Sequence, residues 1–144
     1  MTPEQVQIIK LTFAQAMSSR DQVGQLFYSR LFAIAPETKP LFKGDIAMQS
    51  RKLMDTLALA ISSLRDTPAL MATLEALAKR HVTYGVRDEH YDKVGEALLW
   101  TLEQGLGAAF TPHAREACTK LYATVAQVMR SASAGRSGTV AAVA

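Results

Sequence analysis

Apolar residues recur along most of this chain at three- and four-residue spacing, the period of helices that pack by one face. No stretch shows the two-residue alternation of a half-buried strand. Val6, Ile9, Phe13 and Met17 form the first stripe, and Thr2-Pro3-Glu4-Gln5 ahead of it has the make-up of a helix start. The threonine caps, the proline loses nothing at a first helical position, and the glutamine returns the capping bond. Ser18-Ser19-Arg20-Asp21 interrupts the pattern, and Val23, Phe27, Leu31 and Ile34 resume it as far as Ala35-Pro36. There the proline drives its predecessor out of the helical region. A short helical turn is expected through Pro40-Leu41-Phe42, then a loop and cap at Lys43-Gly44-Asp45. A longer helix comes next, with Leu53, Leu57, Ala60, Ile61 and Leu64 facing inward.

Thr67-Pro68 repeats the cap-plus-proline device and predicts a helix carrying Leu70, Leu74, Leu77 and His81 on one face. Tyr84-Gly85 closes it, since glycine is free to take positive φ. Val94, Leu98, Thr101 and Gly105 organise the next helix. Thr111-Pro112 opens the last, with Ala114, Cys118, Leu121, Val125 and Val128 inward. The closing stretch SASAGRSGTVAAVA has small residues and no sustained period, so the domain is expected over 1–134 and a mobile tail over 135–144. The expected fold class is all-α, with about seven unequal helices that form neither a coiled coil nor a simple four-helix bundle.

Composition narrows the function classes. With 144 residues, 49% of them hydrophobic, the chain suits one core that buries roughly two-thirds of its unfolded surface. The net charge of +3 is spread among acids and lacks the basic patch of a nucleic-acid binder. Cys118 is the only cysteine, which rules out an intrachain disulfide and a cysteine-cluster metal site and fits a reducing compartment. The N-terminus lacks the order of a secretion signal, and no apolar run approaches the ~20 residues of a membrane span. A cytoplasmic location without membrane insertion is the expectation.

His81 is the residue that asks for chemistry. It falls eleven positions after Leu70 on the same face as Leu74 and Leu77, so an imidazole shares the inward stripe. Such a group is either a core histidine satisfied by a local hydrogen bond or a ligand to something bound. His90 and His113 lie in polar runs at helix starts and are read as exposed, as is Arg80.

The strings LFYSRLFAIAPETKPLF, QSRKLM and LAKRHVTYGVRDEHYDKVGEALL, in this order between matching helix breaks, resemble the globins. The likeness is stronger to single-domain bacterial globins akin to the haem domain of flavohaemoglobins and to the Tyr/Gln-pocket globins of methane-oxidising bacteria. It runs from about Thr2 to about Arg130 and implies a globin fold of seven to eight helices around a haem pocket. It also implies haem b as cofactor, with His81 as the iron ligand. A proximal imidazole needs an acceptor for its second nitrogen, and on a helix the Leu77 carbonyl is nearest.

The same resemblance assigns Tyr28 and Gln49 as the donors that meet charge on a bound gas, Leu53 as the apolar spacer one turn beyond, and Phe42 as the aromatic against the haem ring. Tyr91 matches a proximal tyrosine of flavohaemoglobins, or else is an ordinary aromatic packing beneath the haem, with Val94 beside it. The glutamate that accompanies that tyrosine in the relatives has no match here: Ser133 stands in its place. Lys52 and Arg51 either pair with haem carboxylates at the rim or belong to a solvated face. Oxygen, nitric oxide and other small haem ligands are the implied partners. The expected activity is reversible oxygen binding with nitric oxide dioxygenase reactivity. No flavin or nicotinamide segment is recognised, so turnover would depend on a separate flavin or iron-sulfur reductase. Non-enzymatic oxygen storage or delivery is the alternative, and a gas sensor ranks below both.

Overall fold

Several helix boundaries have a local chemical cause. In the computed structural model, which describes the backbone of residues 1–143 and the side chains of residues 1–133, Thr2 and Gln5 exchange capping bonds of 3.0 and 3.1 Å at the start of α1, Pro3–Met17. Helix α2, Arg20–Ile34, stops at Ala35, whose backbone leaves the helical region ahead of Pro36. The turn expected near Pro40 begins earlier, as a 3-10 helix over Pro36–Leu41. Asp45 caps α3, Ile46–Ser62, by accepting from the Ala47 N–H at 3.0 Å.

Helix α4, Thr67–Tyr84, departs from expectation at its start. Asp66 is the cap, accepting from Ala69 N–H at 3.1 Å, and Thr67 is already helical. Aspartate and threonine both cap well, and the one placed three residues before a free N–H takes the role. Gly85 closes α4 at φ +90, a conformation that strains any residue with a Cβ. Helix α5 spans Asp88–Leu106, a 3-10 turn spans Gly107–Ala109, and α6 spans Pro112–Val143. Thr111 caps α6 through Ala114 N–H at 3.1 Å. The described residues thus form an all-helical fold without strands. The side chains of the expected tail, 135–144, lie outside the described residues.

Helix α2 packs on both α3 and α5, while α4 and α1 both pack on α6. The α2/α3 crossing is close: a Cβ on Gly24 would stand 2.6 Å from the Ser50 Cβ. Two apolar clusters result. One gathers Phe27, Tyr28, Leu31, Ala35 and Ala97, and the other Leu74, Ala78, Tyr91, Ala126 and Met129. Between them the core is open. Residues of both clusters border one cavity of about 280 Å³, and its opening toward solvent is what a ligand would use.

Candidate functional site

His81 reaches the cavity from the last turn of α4. Its Nδ1–H donates to the Leu77 carbonyl at 2.7 Å, the bond that helical spacing leads one to expect. That contact settles the neutral tautomer and leaves the Nε2 lone pair unspent. Burial, more than the opposing Leu77 bond, pushes the imidazole pKa below its usual value, and Arg80 adds to the effect. A neutral imidazole with a bare nitrogen, in an apolar wall, has the chemistry of a metal ligand.

The wall around it is hydrocarbon. Phe42, Leu53, Leu77, Tyr91 and Val94 all line the cavity, as does Met54, which is 2% exposed and which the sequence pattern had not singled out. Tyr91 lies nearly parallel to the His81 ring, 6.5 Å between centroids and 19° between planes. Arg130 covers the Tyr91 ring at 5.4 Å and pairs with Asp92 at 2.9 Å. Ser133 is beside the Tyr91 phenol and lowers its pKa, which burial raises on balance. Even so, the buried Ser133 Oγ has no well-formed hydrogen bond. Among the described residues no group of three His, Cys, Asp or Glu could hold a metal by itself.

Tyr28 and Gln49 are brought together, one from α2 and one from the first turn of α3. Burial pushes the Tyr28 phenol up to about 12, against a smaller lowering by the adjoining Gln49 side chain. Neither residue lines the cavity. Tyr28 is 3% exposed and sits edge-on against Phe42, 5.1 Å between ring centres. Phe42 and Phe27 both touch the Tyr28 ring and line the cavity. Lys52 is exposed and off the wall, and Arg51 is engaged with Asp21 at 3.6 Å.

One expectation is corrected. His90, read as exposed, is 7% exposed and lines the cavity. Its polar neighbours Arg87, Asp88 and Glu89 do face solvent, but His90 Nδ1 accepts the Arg87 N–H at 3.0 Å and turns the ring back over the helix start. The spacing signal was present in the sequence: a side-chain acceptor three residues after the first free N–H. His113 and Arg80 are exposed as expected.

The described residues form an all-helical fold and border an apolar cavity with two histidines on its wall, His81 with its tautomer fixed by Leu77, and residues 25–129 match the globin family. The chain belongs to that family. It is similar to the flavohemoprotein of Vibrio cholerae, 34% identical over 131 residues that make up 89% of this chain and 33% of that protein. The flavohemoprotein of Rhodopirellula baltica is 26% identical over 143 residues, covering 97% of this chain and 34% of that protein. For that of Bordetella pertussis the figures are 29% over 133 residues, 90% and 33%. The chain thus spans a third of the length of these relatives. Among the described residues no helix is long and apolar enough to cross a membrane.

Proposed function

We propose that this chain is a globin that holds haem b through His81 and binds oxygen reversibly. The carrying observation is the His81 imidazole, its Nδ1 committed to Leu77 and its Nε2 free at the edge of an apolar cavity. The residues present fit the group: a flat hydrocarbon ring suits walls of Phe42, Leu53, Val94 and Tyr91, and an iron ion suits a neutral imidazole. Haem, when bound there, supplies an iron that takes oxygen and other small gases.

The protein's own groups do the rest. The Leu77 carbonyl keeps His81 oriented and close to neutral, and Tyr91 supports the ring from a parallel plane. Tyr28 keeps its proton at any physiological pH, because its pKa is pushed up to about 12. Its O–H and the Gln49 amide, next to Phe42 on the cavity wall, are the donors that would meet a polar gas. Two donors favour oxygen over carbon monoxide, the less polar ligand.

The reaction we assign is conversion of nitric oxide and oxygen, with one electron, to nitrate. A separate flavin or iron-sulfur reductase delivers the electron. A second reading, oxygen storage or delivery, is favoured by one observation: the side chain beside Tyr91 that lowers its phenol pKa is the neutral hydroxyl of Ser133 rather than a carboxylate.

Absorption spectra of the purified protein in ferric, ferrous and oxygenated forms test the haem reading. His81→Ala should lose most of its haem; an unaltered ferrous spectrum without added imidazole would refute the assignment. Nitric oxide consumption with a reductase and nicotinamide then separates the two activities. Sustained turnover well above the reductant-only background supports the dioxygenase, and background turnover with fast oxygen release supports storage.

A further inference from the structure

Besides His81, the described wall of the cavity holds a second imidazole, His90, that the proposed chemistry does not use. It comes from the first turn of α5, directly before Tyr91, at the corner where α4 has just ended at Gly85. Because Nδ1 accepts the Arg87 N–H at 3.0 Å, the proton of the neutral ring resides on Nε2. Among the described residues no acceptor meets that N–H. On a wall otherwise of hydrocarbon it is a fixed donor that a bound group can use without first breaking a protein hydrogen bond.

Haem needs such a donor in one place only. The ring is apolar apart from the two carboxylates along one edge, and each carboxylate entering a low-dielectric site requires a hydrogen bond or a cation. The cations expected for this task do not supply it. Lys52 is off the cavity, and Arg51 is held by Asp21. We propose that His90 is the binding residue for the carboxylate edge: its Nε2–H donates to a haem propionate at the α4–α5 corner. The exposed Arg87 brings a cation to the same corner. This inference rests on the haem reading and adds to it the direction in which the cofactor is inserted.

The test uses the haem-loaded chain and measures haem loss to an excess of a tight apo-acceptor. His90→Asn keeps an acceptor for the Arg87 N–H but cannot reach as far as Nε2, and it should release haem about 10-fold to about 100-fold faster. His90→Gln reaches further with an amide N–H and should recover part of the retention. Loading with the dimethyl ester of haem removes the carboxylates, and there wild type and His90→Asn should lose the cofactor at similar rates. Equal rates with ordinary haem, or the same acceleration with the ester, overturn the inference while leaving haem binding intact. A wild-type chain that takes up no haem overturns the haem reading and this inference with it. Should His90→Asn fail to fold, the wild-type Nε2–H proton resonance decides. It moves downfield on loading with haem and less with the ester if the bond forms, and is the same in both if it does not.

Discussion

At the scale of single residues, the consequential feature is a pair of donors just outside the cavity lining. Tyr28 and Gln49 adjoin each other, with Phe42 against the Tyr28 ring, so Tyr28→Phe or Gln49→Leu should speed oxygen release by about 5-fold to about 150-fold and change carbon monoxide release much less. Stopped-flow release of the two gases checks this, and equal effects on both would remove the donors from the site. The phenol also makes an alkaline prediction. Its folded pKa, about 12, lies above the model value of 10.0, so its contribution to stability is fully present below the unfolded value. That contribution is lost as pH rises from there through the folded value. Spectrophotometric titration should find Tyr28 among the last phenols to ionise, and Tyr28→Phe should remove one group from that late class and flatten the alkaline loss of stability. The sequence carried the identity of these residues but not their depth. A helical stripe tells which face points inward; it does not tell that Tyr28 would lie outside the cavity lining against Phe42, or that His90 would fold back from a polar run.

Helices were legible because their ends are chemically marked. Prolines at the starts of α1 and α6, the stop at Ala35-Pro36 and the glycine after Tyr84 all fall where their backbone preferences demand. The displaced cap on α4 shows the limit. Asp66 and Thr67 are adjacent and chemically equivalent for capping, and only the folded backbone reveals which carbonyl starts the ladder. Asp66→Ala should cost about 1 kcal/mol, measured by denaturant unfolding, whereas a cap at Thr67 would make that change neutral. The crossing of α2 and α3 was not legible, since it depends on two small residues far apart in sequence. At Gly24 an added Cβ meets the Ser50 Cβ at 2.6 Å, while at Gly105 the nearest contact is Val23 at 3.8 Å. Gly24→Ala should therefore destabilise by roughly 1–3 kcal/mol through overpacking. Gly105→Ala should stabilise by about 0.5–1 kcal/mol, because alanine favours the helix without a clash. Melting curves of the two variants moving in the same direction would contradict the packing described.

For the whole molecule, the cavity between the two apolar clusters means that protein atoms alone leave the core incomplete. A ligand that binds only the folded chain stabilises it by mass action, about 2.7 kcal/mol at a free concentration one hundred times its dissociation constant. Haem should therefore raise the melting temperature by several degrees, and an unchanged melt would argue against the site. The helical class, the family and the position of His81 on an inward stripe were all readable from the chain; the central cavity was not, because hydrophobic periodicity records which residues avoid water and is silent on how closely they pack. The last turns of α4 border that space. Lys79, Arg80, Val82, Thr83 and Tyr84 are exposed there, and Ala78 is the last fully buried side chain before Gly85. That stretch turns most of its side chains to solvent, so in the haem-free chain its backbone amides should exchange early with deuterated solvent and acquire protection late in refolding. The cofactor would then act as the final structural element of the chain, and the order in which the molecule assembles would be set by how much haem the cell has to give it.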